Sequence, residues 1–211
     1  MTSERCDGPR NGYLSRASYL RYAVRYSECG LSVSPERILG DGRAHVVLVT
    51  YSDFQCPYCG MAAREILPVL KKEYVDRGRL RIAFKNLPLS IHPLAPGAAA
   101  AAACAGQQRQ FWPMHDRLFR EPTRLLSSDL EDAATEIGVD RASFESCLSA
   151  TKTAALVQED MAEAARLGIS STPTFIIGRL DADGRVRATD VLSGAKPVEA
   201  FREILDRLLK G

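Results

Sequence analysis

The chain has 211 residues, 45% of them hydrophobic and 26% charged, and a net charge of +2. That is the make-up of an ordinary soluble globular protein with one sizeable core. A near-neutral balance with no basic run and no aromatic–basic interleaving argues against a nucleic-acid surface, and the longest weakly polar stretch, Pro93 to Gly106, is too short to span a bilayer.

Residues 1–37 read as an N-terminal extension, mixed and polar, with a short helix expected around Tyr13–Tyr26. Its first thirty residues hold no continuous apolar segment of the kind a secretory signal needs. The chain as written therefore reads as cytoplasmic, or as a cell-envelope protein if a leader was removed; six cysteines suit an oxidising compartment without requiring one. Leu31–Leu39 can supply a short strand broken at Pro35, and Gly40-Asp41-Gly42 a turn.

From Val46 the pattern sharpens. Val46-Val47-Leu48-Val49-Thr50-Tyr51 is continuously apolar and β-branched, which predicts a central strand covered on both faces. A helix follows from Pro57 to about Asp76, with Met61, Ile66, Leu67, Leu70 and Tyr74 on its apolar face and a kink expected at Pro68. Arg79–Lys85 alternates as a second strand. A helical block follows, with amphipathic segments near 94–107, 111–120, 127–137, 140–149 and 151–167. Ser127 or Ser128 with Glu131, and Asp140, mark helix starts; Gly138 and Gly168 mark ends. Strand character returns at Thr174–Ile177. A hairpin through Asp181-Ala182-Asp183-Gly184 leads into Arg185–Leu192, and a last helix begins at Lys196-Pro197. This order predicts an α/β sandwich, with a mainly parallel sheet closed by an antiparallel hairpin. The expected parts are 38–92, an inserted helical block 93–167, and a closing part 168–211.

The chemistry sits at the first strand-to-helix turn, in Cys56-Pro57-Tyr58-Cys59. Pro57 suits the first helical position, which makes Cys56 the N-cap, its sulfur beside unpaired N–H groups and the positive end of the helix dipole. Those groups favour thiolate over thiol. Cys59 lies one turn on, on the same helix face, where the two sulfurs can close a disulfide. Half a zinc site is the competing reading, but zinc needs two further ligands. Cys6, Cys29, Cys104 and Cys147 form no second Cys-x-x-Cys, and His45, His92 and His115 show no ligand spacing. No metal and no cofactor beyond a redox-active disulfide is expected.

The run Tyr51-Ser52-Asp53-Phe54-Gln55-Cys56-Pro57-Tyr58-Cys59 resembles the active-site signature of the DsbA-like thiol-disulfide oxidoreductases. The resemblance continues through Phe84-Lys85-Asn86-Leu87-Pro88-Leu89, His92-Pro93, the alanine-rich helix ending in Cys104, Phe111-Trp112-Pro113-Met114-His115-Asp116, and Gly168-Ile169-Ser170-Ser171-Thr172-Pro173-Thr174-Phe175. It covers roughly residues 38–209. The resemblance implies an α/β thioredoxin fold, a mixed central sheet flanked by helices, with an inserted helical domain. It makes Cys56 the nucleophile and Cys59 the buried resolving partner, with Pro57 and Tyr58 supporting them. Pro173 is then the cis-proline facing the pair, and Thr172 offers its backbone to a substrate strand. Some relatives carry a structural disulfide in the inserted domain, for which Cys104 and Cys147 are the candidates; Cys6 and Cys29 have no counterpart. Phe54 and Tyr58 are expected to form an apolar docking surface, while Trp112, His92 and His115 read as structural.

Two departures from the family pattern stand out. Tyr58 replaces the histidine of some members and donates a hydrogen bond without positive charge, which implies a higher Cys56 pKa and a less oxidising disulfide than theirs. Thr50 stands where many relatives place an acidic proton acceptor for the buried cysteine; Asp53 and Lys85 are the nearby substitutes. The implied function is disulfide exchange with thiol-bearing substrate proteins, as oxidant rather than reductant, by a monomer recycled by a membrane quinone-linked reoxidant or a thioredoxin-type reductant. The alternatives are a glutathione-linked isomerase or transferase of the same fold, against which Cys59 argues, and a non-enzymatic binding module.

Overall fold

The computed structural model describes residues 30–210, so Cys6, Cys29 and the helix expected around 13–26 lie outside the described residues. Its centre is strand β2 (Val46–Ser52), buried at every position. Alternate side chains of a strand point to opposite faces, and here both faces are covered. Val46 and Leu48 join Leu80, Ile82, Phe175 and Ile177 beneath two helices, α1 (57–75) and the C-terminal α7 (Val198–Lys210). Val47, Val49 and Tyr51 join Ala83 and Ile176 on the other face, beneath Ala164 and Leu167 at the end of α6 (Thr151–Arg166).

The remaining strands are β1 (Ile38–Leu39), β3 (Leu80–Asn86), β4 (Thr174–Leu180) and β5 (Val186–Ser193). They lie in the order β1-β3-β2-β4-β5. Only β2 and β3 run parallel; β1–β3, β2–β4 and β4–β5 are antiparallel. The mainly parallel sheet expected from the element order is thus corrected to a mixed one. The single helix between β2 and β3 enforces a parallel return. The long helical excursion before β4 sets no direction, and its last helix delivers the chain to the sheet from the opposite end.

Helix α1 is one continuous rod in four stretches: Pro57–Met61, a π-helical Ala62–Ile66, Leu67–Leu70 and a π-helical Lys71–Val75. Pro68 has no N–H for the carbonyl four residues back, and its ring crowds that carbonyl. The chain accommodates it by widening, Leu67 N–H reaching back five residues to Ala62. The disturbance expected at Pro68 is therefore a change of helical register.

The block between β3 and β4 holds α2 (Ala95–Gln107), α3 (Phe111–Arg120), α4 (Ser127–Glu136), α5 (Arg141–Ser149) and α6. Ala98, Ala99, Ala101, Ala102, Ala103 and Ala105 of α2 are all buried. Side chains this small let α3, α5 and α6 close around α2. Asp140 caps α5 by accepting the Ser143 N–H at 2.8 Å. The start of α4 is held differently from the expectation: Asp129 accepts the Leu126 N–H at 3.1 Å, and Glu131 pairs with Arg141. Gly138 and Gly168, at φ 76° and 72°, end their helices in the left-handed region that glycine enters without strain.

A disulfide joins Cys104 on α2 to Cys147 on α5, 43 residues apart, as the resemblance implied. The buried Thr153 hydroxyl donates to the Cys147 carbonyl at 2.7 Å and ties α6 to the same point. Closing a loop of this length contributes about 4 kcal/mol in the chain-entropy model. The double variant C104A/C147A should therefore melt roughly 10 °C lower for a domain of this size, as measured by differential scanning calorimetry. The reactivity of Cys56 should be unchanged.

Candidate active site

Strand β2 delivers the chain to the site, and helix α1 begins there. Cys56 is the N-cap, in extended conformation (φ −75°, ψ 123°), as a residue preceding proline must be. Pro57 occupies the first helical turn, and Gly60 N–H donates to the Cys56 carbonyl at 3.0 Å, closing that turn. Cys56 and Cys59 are both buried thiols. Opposite them the Thr172–Pro173 peptide bond is cis, and the Thr172 carbonyl oxygen lies 3.6 Å from Cys56 Sγ. The four residues expected to converge on this point do so.

The electrostatics separate the two sulfurs. Cys56 is pulled from the ordinary thiol value down to about 5, first by the hydrogen bond from the Cys59 thiol, against the opposing effect of burial, and further by the backbone N–H groups of Cys59 and Tyr58. Cys59 is pushed strongly upward, first by burial and then by its donation to Cys56. One sulfur is a stable thiolate at neutral pH; its neighbour holds its proton. This is the arrangement of a nucleophile beside a resolving thiol.

The other expected residues divide. Tyr58, between the cysteines, is 62% exposed; Met61 at 38% and Ile91 at 76% are further exposed apolar side chains. Phe54 is a correction: it is 1% exposed and stacks on Phe84 at 5.1 Å, with Phe119 at 4.9 Å. It belongs to the cluster that runs from the cysteines into α2–α5, because a large ring just past the end of β2 faces the inserted helices. Trp112 sits at the seam of that cluster with the sheet core, and buried His115 bonds to Asp116 at 2.8 Å.

Thr50 is buried in register with Phe84 and Phe175. Lys85, offered as a substitute proton acceptor, is also corrected. It pairs in register with Tyr51 and so faces the opposite side of the sheet, where it meets Asp160 at 3.2 Å and Glu163 at 2.7 Å. Arg37 and Asn86, through both its backbone N–H and its side-chain amide, also donate to Asp160. This buried cluster packs α6 against the sheet. Asp53 does reach the site, but through its backbone: its N–H donates to Cys59 Sγ at 3.4 Å, and its carbonyl accepts from the Cys56 N–H at 3.1 Å.

Two contacts were not foreseen from the residues: one at Ser52, and the partner of His92, which reads as structural. Ser52 is buried at the end of β2, on the same face as Thr50, and its hydroxyl hydrogen-bonds to Cys59; the strand alternation could have found it. His92 bonds through Nδ1 to the Asp53 carboxylate at 2.7 Å, a pairing no local pattern announces. Among the described residues no group of three or more His, Cys, Asp or Glu could hold a metal ion.

The depressed Cys56 value sets a pH dependence with a definite sign. Alkylation of the reduced protein by iodoacetamide should proceed at a nearly constant rate above neutrality and fall to half near pH 5. Because this acidic group is lowered on folding, its contribution to the stability of the reduced form is complete above about pH 9, declines as pH drops and is gone below about pH 5. The difference in denaturant midpoint between the reduced protein and its Cys56→Ser variant should follow that course.

A family model described as thioredoxin matches residues 32–206. A protein named Na(+)/H(+) antiporter NhaA 1, from Salinispora arenicola, is 36% identical over 148 residues, covering 69% of this chain and 22% of its own length. The chain thus spans less than a quarter of that relative, and among the described residues no helix is long and apolar enough to cross a membrane. A probable disulfide bond formation protein D of Bacillus anthracis is 29% identical over 171 residues, 74% of this chain and 78% of the relative. Among solved structures, alpha-DsbA1 of Wolbachia pipientis matches with a TM-score of 0.75 at 22% identity, over 88% of this chain and 96% of its own. Oxidised BdbD of Bacillus subtilis matches at 0.72 and 22% identity, over 86% and 98%. At this identity the two structures speak for the fold.

Proposed function

The chain belongs to the thioredoxin family, and from that premise we propose that it is a thiol-disulfide oxidoreductase of the DsbA type that oxidises protein thiols. The observation that carries this reading is the split between the two sulfurs, a thiolate at the helix N-terminus and a protonated thiol beneath it. In the forward cycle a substrate thiolate attacks Cys56 Sγ of the disulfide. The sulfur–sulfur bond breaks, and Cys59 leaves with the electron pair and takes up a proton. A second substrate thiolate then attacks the substrate sulfur of the mixed disulfide, and Cys56 departs as a thiolate. Two electrons pass from two substrate thiols to the Cys56–Cys59 pair.

Departure of Cys56 is fast because its thiolate is weakly basic, and stabilising the thiolate favours the reduced form and makes the disulfide oxidising. The Cys56 value of about 5 falls between the roughly 7 of thioredoxin and 3.5 of DsbA. The cis-proline loop, with Thr172 beside Cys56, would receive an extended substrate segment, and the exposed Tyr58, Met61 and Ile91 would hold its apolar side chains. The Cys104–Cys147 bridge supports an oxidising compartment outside the cytoplasm. In that setting a membrane quinone-linked reoxidant would be the natural recycling partner of a monomeric enzyme.

Two measurements test this. Cys56→Ser should abolish oxidation of a reduced, scrambled-prone substrate, whereas Cys59→Ala should accumulate mixed disulfides; full activity in the serine variant overturns the assignment. Equilibration in glutathione buffers should place the potential between about −270 mV and about −120 mV, the values of thioredoxin and DsbA. A value below that window would mean a reductase.

A further inference from the structure

The Asp53 backbone hydrogen-bonds to both active-site cysteines, and its side chain is fully enclosed. The carboxylate has three donors. Oδ1 accepts from the Gln55 N–H at 2.7 Å; Oδ2 accepts from the Leu89 N–H at 2.8 Å and from His92 Nδ1 at 2.7 Å. Gln55 Oε1 in turn accepts the Leu94 N–H at 2.8 Å. The active-site turn 53–56 is therefore laced to the 89–94 segment, and His92 supplies the only side-chain donor to the Asp53 carboxylate among the described residues.

Asp53 joins the ring to the cysteines by position: its carboxylate accepts from His92 Nδ1–H, its backbone N–H donates to Cys59 Sγ, and the Cys59 S–H donates to Cys56 Sγ. We propose that His92 and Asp53 are a positioning pair that holds the backbone donor on Cys59 and thereby sets the redox poise of the Cys56–Cys59 couple. Neither residue touches substrate sulfur. Loosening the pair lets the Asp53 N–H drift from Cys59, weakens the Cys59 hydrogen bond to the Cys56 thiolate and disfavours the reduced form. The disulfide should become harder to reduce. The inference rests on the couple being redox-active, as proposed above.

The test uses two amides of the same chemistry. In His92→Asn the side-chain NH₂ falls near the position of Nδ1 and can donate to Asp53. In His92→Gln it falls near Nε2 and cannot. The equilibrium constant with glutathione and the pH midpoint of Cys56 alkylation are read on both variants and on the unaltered protein, with melting temperature as a control on folding. Expected is an asparagine variant within about twofold of the parent. The glutamine variant should be about tenfold harder to reduce, equivalent to about 30 mV for two electrons, with a higher alkylation midpoint. If both variants match the parent, or both shift equally, the position of the donor does not matter and the proposal falls. Failure of the unaltered protein to cycle between dithiol and disulfide would instead overturn the functional reading on which it stands.

Discussion

One hydrogen bond, from the Cys59 thiol to the Cys56 sulfur, organises the chemistry of this molecule. It exists because a proline-started helix fixes Cys56 at its N-cap and brings Cys59 round one turn beneath it. It is strong because the surroundings are closed to water, so a charge on one sulfur has few other sources of relief. The same closure makes a charge on the second sulfur costly. A single geometry therefore gives the two cysteines opposite characters, which sequential attack and release require.

The rest of the fold reads as support for that closure. The central strand is buried on both faces, so its end cannot shift without disturbing two cores. The inserted helices do not form a separate body: one apolar cluster runs from Cys56 and Cys59 through Phe54 and Phe84 into α2–α5. Across the sheet, Lys85, Arg37, Asp160 and Glu163 neutralise one another in a buried group. Ionic clusters of this kind contribute little net stability but penalise any mispacking that leaves one charge alone. Its place between α6 and β3 fixes where the helical excursion returns to the sheet.

Much of this was legible in the residues themselves. The β-branched run, the Cys-Pro-Tyr-Cys turn and the helix-ending glycines each carry a local physical rule, and each lands where the rule puts it. The long-range facts did not follow from local rules. Strand direction after a long excursion depends on tertiary packing, which is why β4 runs antiparallel to β2. Phe54 looked like surface because it adjoins the cysteines, yet the turn after β2 points it inward. Lys85 looked close to the site in sequence, but strand alternation alone, applied to the Tyr51–Lys85 register, sends it to the far face. His92 and Asp53 are 39 residues apart, and no periodicity joins them.

The molecule holds two cysteine pairs, and the polarity of its helices gives them different fates. Cys56 and Cys59 occupy the first turn of a helix, at the positive end of its dipole. Cys104 and Cys147 both lie in the final turns of theirs, Ala95–Gln107 and Arg141–Ser149, at the negative ends. A thiolate released at a carbonyl-rich terminus is repelled rather than welcomed, so the inner bridge has no good leaving group and resists exchange. On the proposed function, the protein would carry oxidising equivalents while containing a bond of the kind it makes. Chain direction, together with burial of Cys104 and Cys147, sets the two sulfur pairs apart.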